Sequence, residues 1–155
     1  MAIRPSVLRL LQRLTDLPTV VLSAKGDVLA QNPMACALLG DLSRWPDGRR
    51  NIIWQRILGT GHARVTLTRK EEAAWMQQAV GLLRTEERRS TVRRSMHKTI
   101  DHPEVGRLVL DCDTLLLPDT DQSMIVYSAA AGTREASALD VLRVIGTERI
   151  SALPW

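Results

Sequence analysis

The chain has 155 residues, 45% of them hydrophobic and 25% charged, with a formal net charge of +4. That length suits one domain with one core, and the composition excludes a wholly disordered chain. No apolar run approaches the roughly 20 residues that span a bilayer, and the arginines inside MAIRPSVLRLLQRL interrupt the apolar segment that a secretory signal needs.

Pro5 suits the first turn of a helix, and Val7, Leu10, Leu11 and Leu14 then recur at helical spacing, which places an N-terminal helix within residues 3–15. Thr15-Asp16-Leu17-Pro18 ends it. Thr19–Leu22 is a β-rich run, Ser23-Ala24-Lys25-Gly26 a tight turn and Asp27–Gln31 the returning strand, giving a hairpin over residues 19–31. Asn32 is placed to cap a helix with Pro33 at its first position. Met34–Leu39 fill that short helix and Gly40 closes it. After a loop with Pro46 and Gly48, Asn51–Leu58 read as another short helix, broken by Gly59-Thr60-Gly61. Thr68 and Glu71 have capping-box spacing. Trp75, Ala79 and Leu82, with Met76, Val80 and Leu83 beside them, give the helix that follows its apolar face. Residues 84–94 are strongly basic and carry no core pattern, so residues 33–94 read as a helical cover.

The last third is β-rich. Lys98–His102 is a strand and His102-Pro103-Glu104-Val105-Gly106 a turn. Arg107–Leu117 is a long strand whose Leu108, Leu110 and Cys112 share one face, against Val109, Asp111 and Asp113 on the other. Pro118-Asp119-Thr120-Asp121 turns the chain into a last strand, Gln122–Ala130. A helix over residues 136–145 follows, stopped by Gly146, with 147–155 as a tail. The sum is one α+β domain over residues 1–146. It has a five-stranded antiparallel sheet, short helices inserted after strand two, an N-terminal helix and a C-terminal helix. This order resembles a PAS-type sensor fold. Met124, Ile125, Val126 and Tyr127 give the last strand apolar groups on both faces, so both faces are expected to be covered. The inserted helices would cover one and the N-terminal helix the other.

Several stretches carry a closer resemblance: RPSVLRLL from Arg4, DLPTVVLSAKGDVLAQNPMACALLGD from Asp16, RNIIWQRIL from Arg50, KTIDHPEVGRLVLDCDTLLLPDTD from Lys98 and MIVYSAAAGT from Met124. Over roughly residues 3–146 the chain is similar to the ligand-binding domain of MmyB-like transcription regulators. The HPEVG turn and the hairpin into Asn32 are its specific parts. The resemblance implies a PAS-like fold and a cytosolic regulator that binds DNA through an N-terminal helix-turn-helix of the xenobiotic-response-element type. It also implies an apolar, fatty-acid-like ligand held between sheet and helices. Three features depart from the pattern. The chain starts where the helix-turn-helix would end, so a domain lacking its own DNA-binding part is expected. The stretch from Leu83 to Lys98 is shorter than in relatives, which place further helices there. Gln31 stands where relatives often carry a tryptophan.

Other chemistry finds little support. Gly59-Thr60-Gly61-His62 lacks the third glycine of a phosphate loop and follows a helix rather than a strand. His62, His97 and His102 have no zinc-site spacing, so no metal is expected. No Gly-x-Ser-x-Gly elbow is present. Cys36 and Cys112 read as reduced, buried small hydrophobes of a cytoplasmic protein. Asp111 and Asp113 share a strand face but read as a solvated polar stripe rather than an acid–base pair. Arg84, Arg88, Arg89, Arg93, Arg94 and Lys98 form a basic cluster that reads as a solvated face, with weak, salt-sensitive contact to phosphates as its alternative. With no phenylalanine and one tyrosine, stacking platforms for single-stranded nucleic acid are scarce.

The sequence is therefore read as a cytoplasmic sensory domain without catalytic residues or cofactors. The expected ligand-binding residues are Leu29, Asn32, Leu39, Trp54, Trp75, Leu110, Cys112 and Val126. The expected partners are a small apolar ligand of the long-chain fatty-acid kind and a second copy or a full-length regulator. Sequence-specific DNA binding by this chain and membrane association are not expected. The rival reading is a truncated remnant or interaction module whose core is filled by its own side chains.

Overall fold

The computed structural model describes residues 3–45, 49–52, 54–55, 65–66, 73, 77, 95–118 and 120–152. Helix α1 (Pro5–Arg13) opens with Pro5 at its start, where no N–H is needed. Leu11 is buried, and Val7 and Leu14 pack beside it against the sheet. Leu10, expected on the same stripe, faces outward instead. In a nine-residue helix the inward arc is too narrow to take every apolar position.

Strands β1 (Thr19–Leu22) and β2 (Val28–Gln31) form the expected hairpin. Its turn is closed by Ser23, whose N–H donates to the Asp27 carbonyl at 2.9 Å and whose hydroxyl accepts from the Asp27 N–H at 3.0 Å. Gly26 takes the positive φ that the turn requires, 90°. Helix α2 (Pro33–Leu39) follows directly, capped by Asn32 and ended at Gly40 as the sequence indicates. A single turn of 3₁₀ helix, Leu42–Arg44, comes next. Gln31 ties these pieces together: its amide donates to Gly40 O at 2.8 Å and accepts from Leu42 N at 3.0 Å. In the stretch beyond, Ile52, Trp54, Gln55, Ala73 and Gln77 are helical, as expected.

Strands β3 (Val65–Thr66), β4 (Ser95–His102), β5 (Gly106–Leu116) and β6 (Ser123–Ser128) complete an antiparallel sheet in the order β2-β1-β6-β5-β4-β3. Its five longer strands are the five expected, in PAS-like order. The two-residue β3 is an addition. Val65 and Thr66 pair with Ile100 and Thr99 in a stretch read from sequence as helical cover, and two residues show no periodicity to mark a strand.

β1 is buried along its whole length because it has a strand on each side and cover on both faces. On one face, α1 covers Val21, Met124 and Val126. On the other, α2 and a last helix, α3 (Arg134–Ala152), cover Ile100, Leu108, Leu110, Cys112 and Tyr127. The C-terminal helix thus shares a face with the inserted helix α2.

Thr133 caps α3 by accepting from the Ala136 N–H at 3.1 Å. Arg134 donates to the carbonyls of Arg107 and Val105, and Glu135 accepts from Val109 N. These bonds hold the start of α3 to backbone groups of the β4–β5 turn and β5. The expectation of a helix confined to 136–145 with a tail from 147 is corrected: the helix runs through Gly146 to Ala152. One glycine inside a helix costs about 1 kcal/mol and does not end it without the left-handed cap geometry. Among the described residues no helix is long and apolar enough to cross a membrane.

Candidate functional site

Strand alternation decides what the α2–α3 face presents. Ile100 lies opposite Leu108 and Lys98 opposite Leu110, while Cys112 lies opposite Tyr127. These side chains meet Met34 and Leu38 of α2 and Ala138, Leu139 and Leu142 of α3 in one apolar layer. Val20, Leu22 and Ala35, with Val28 and Ile52, extend it toward the Asn51 turn; Leu39 and Ile125 pack against both parts. At that end Asn51 Oδ1 accepts from Trp54 N at 2.8 Å, starting a helical turn. Trp54 is half-buried, with the Arg49 guanidinium 5.1 Å from its ring centroid.

Among the described residues one charged side chain reaches this face. Lys98 is half-buried, and its Nζ lies 5.8 Å from the Tyr127 ring centroid. The Tyr127 hydroxyl and the Cys112 thiol are its polar neighbours. Burial works against that ammonium, and Tyr127 and Cys112 offset it, leaving the Lys98 pKa raised. Burial pushes the Tyr127 phenol up to about 12 and raises the Cys112 thiol, in each case against the pull of Lys98. At neutral pH the trio is therefore an ammonium between a neutral hydroxyl and a neutral thiol. The carboxylates of the same strands, Asp101, Asp111 and Asp113, alternate onto the opposite face.

The residues expected from sequence to bind a ligand do not converge on one place. Leu39, Leu110 and Cys112 lie in the α2–α3 layer, and Trp54 is held at its far end. Leu29 and Val126 pack under α1 across the sheet. Val126 sits between Ile125 and Tyr127, so the pleat sends it the other way. Trp75 lies outside the described residues. Asn32 is buried and fully engaged. Its Oδ1 accepts from Thr19 N at 3.0 Å and Ala35 N at 2.8 Å, and its Nδ2 donates to Leu14 O and Leu17 O, both at 2.8 Å. That is the whole capacity of a carboxamide, and none of it is left for a ligand.

Two residues on this face escaped the sequence reading. Lys98 was grouped with the basic cluster, and Tyr127 was read only as core. The signal was present: Lys98, Ile100 and His102 share strand parity, and Ile100 and His102 are buried. Arg84, Arg88, Arg89, Arg93 and Arg94 lie outside the described residues, as do His62 and Gly59-Thr60-Gly61.

The remaining polar groups are structural or exposed. His102 Nε2 meets Ala37 O at 2.7 Å and its Nδ1 accepts from Glu104 N at 3.0 Å, which fastens the His-Pro turn to α2. His97 and Asp111 pair at 2.8 Å on the outer face, both well exposed, in keeping with a solvated stripe. Burial, with Asp41 adding to it, pushes the Cys36 thiol up to about 11. Neither cysteine is thus a thiolate nucleophile at neutral pH. No cluster of His, Cys, Asp and Glu suited to a metal occurs among the described residues.

The family model of the MmyB-like transcription regulator ligand binding domain matches residues 3–91 and 85–142. The chain belongs to that family. No curated protein matches it. The two matched segments meet at residues 85–91, inside the stretch read from sequence as shorter than in relatives. The MmyB-like domain here keeps its sheet, α1, α2 and the hairpin on either side of that junction.

Proposed function

We propose that this domain senses a long apolar molecule of the fatty-acid kind, held in the layer between the sheet and helices α2 and α3, and that it catalyses no reaction. The observation that carries the reading is that layer: a continuous apolar interior from Leu142 to Ile52, roofed by two separate helices, the short α2 and the longer α3, in a chain of this ligand-binding family. Two separate helices shift against the sheet independently of one another, the seven-residue α2 most readily. A ligand that binds one arrangement better shifts the population toward it, and a DNA-binding partner reads the shift. Each buried methylene contributes about 0.8 kcal/mol, so a partly enclosed acyl chain reaches micromolar affinity. The protonated thiols and the engaged Asn32 and His102 support a binding role over a catalytic one. The free cysteines suit the reducing cytoplasm. Its protein partner is a second copy or a full-length regulator, and the chain itself makes no sequence-specific contact with DNA.

One observation favours the rival, a core filled by its own side chains. Leu38, Ile100, Leu108, Leu110 and Leu142 are buried by one another, with α3 seated on the sheet. Native mass spectrometry of protein from a heterologous host, with thermal-shift titrations of acyl chains of increasing length, separates the two. Co-purified lipid and stabilisation that grows with chain length are expected. Absence of both would establish the filled core.

A further inference from the structure

Lys98 is a cation set into an apolar layer, and its position asks for an anion. The strand register seats it on the α2–α3 face between Ile100 and the Met96–Cys112 pair. An ammonium carries three donors. Its polar neighbours on this face are the Tyr127 hydroxyl and the Cys112 thiol, with the Tyr127 ring centroid 5.8 Å from Nζ. Both groups are neutral at ordinary pH, so neither balances the charge. The strand carboxylates nearest in sequence, Asp101, Asp111 and Asp113, face away, and two of them are taken by Arg107 at 2.9 Å and His97 at 2.8 Å. A partly desolvated cation gains from a charge-assisted hydrogen bond to an oxyanion far more than an exposed one does.

We propose that Lys98 anchors the carboxylate of the ligand, with the Tyr127 hydroxyl beside it as a second donor. The proposal rests on the reading that this face holds an acyl chain, and it fixes that chain's polarity: head at Lys98 and Tyr127, tail along the layer toward Leu39 and Ile52. The Tyr127 hydroxyl then turns its hydrogen to the second carboxylate oxygen. The geometry also sets selectivity, for free acids over esters and alcohols of the same length.

The test compares binding of palmitic acid, methyl palmitate and hexadecanol to the intact 155-residue chain by isothermal titration. The wild type, Lys98→Met, Lys98→Arg and Tyr127→Phe are measured. The wild type should prefer the acid over the ester by about tenfold or more, the scale of one charge-assisted hydrogen bond. Lys98→Met keeps the length of the side chain and should lose that preference while still binding the ester, which also shows that it is folded. Lys98→Arg should retain the preference, and Tyr127→Phe should weaken acid binding alone. Equal binding of acid and ester by the wild type overturns the anchor, whatever the variants do, and leaves the apolar site standing. Failure of the wild type to bind any of the three overturns the apolar site and the anchor with it. An undiminished acid preference in Lys98→Met overturns the assignment to Lys98.

Discussion

Asn32 shows how one side chain can set the geometry of several elements. Its amide joins the end of α1, the start of β1 and the first turn of α2 through four hydrogen bonds. The sequence made it legible as a cap, since Asn before Pro is a helix-start signal. Its three other bonds come from the chain folding back on itself and leave no mark in local spacing. Asn32→Ala strands three backbone groups in or near the core, the Thr19 and Ala35 N–H groups and the Leu14 carbonyl, while Leu17 O keeps the Thr19 hydroxyl. We expect a loss of about 2–4 kcal/mol, read as a lower urea midpoint. A loss under about 0.5 kcal/mol would show that water takes over these bonds. Lys98 is the reverse case: its charge led the sequence reading to a solvated cluster, and only its strand partner Leu110 shows that it faces inward. Ser123 was invisible altogether. Its hydroxyl is buried without a partner, a polar atom facing the same side as Leu22.

At the scale of elements, the sequence was most legible where a local signal and a tertiary need coincide. The β1–β2 hairpin, the Asn32 cap and the β4–β5 turn were placed correctly because turn chemistry and hydrophobic alternation agree there. Element ends were less legible. Gly146 carries a helix-stop signal, yet α3 continues, and β4 begins at Ser95 rather than Lys98 because β5 is long enough to pair with it. Gly106 is where the backbone, not the side chain, fixes the residue. It sits at φ +80°, and an added Cβ would meet Arg134 Nη2 at 3.5 Å, an ordinary contact. The cost of Gly106→Ala is therefore conformational, about 1–2 kcal/mol. Thermal unfolding should show it as a Tm lower by several degrees with an unchanged far-ultraviolet spectrum. An unchanged Tm would mean the turn relaxes to negative φ without loss.

At the scale of the whole molecule, the sheet divides the protein into two interiors with different tasks. The α1 side is closed by one helix over β1 and β6, and beyond it Val109 and Leu115 on β5 are 50% and 51% exposed. The outer side of α1 also carries Leu8 and Leu10, 39% and 49% exposed. A second copy packing there would cover them in the two-fold manner common to soluble homodimers. We expect a dimeric mass by light scattering at about tens of micromolar, and a monomeric one for Leu10→Glu. A monomeric wild type would assign that helix face to solvent. Among the described residues the half-buried cation, Lys98, lies on the α2–α3 side, and sequence alone could not tell the two sides apart. It placed Leu29, Val126, Leu110 and Cys112 in a single site because these residues come from three strands, and nothing in the local pattern says which face of the sheet each strand turns to which helix until the strands are paired.

On the function proposed above, the ligand enters the α2–α3 layer and not the α1 layer. Methyl-labelled spectra of the Ile, Leu and Val residues, recorded while palmitate is added, test it most directly, because both layers report in one experiment. Shifts are expected at Leu38, Ile100, Leu110 and Leu142, with Leu11, Val21 and Val126 unmoved. Shifts confined to Leu11, Val21 and Val126, or none in either layer at saturating palmitate, would contradict it.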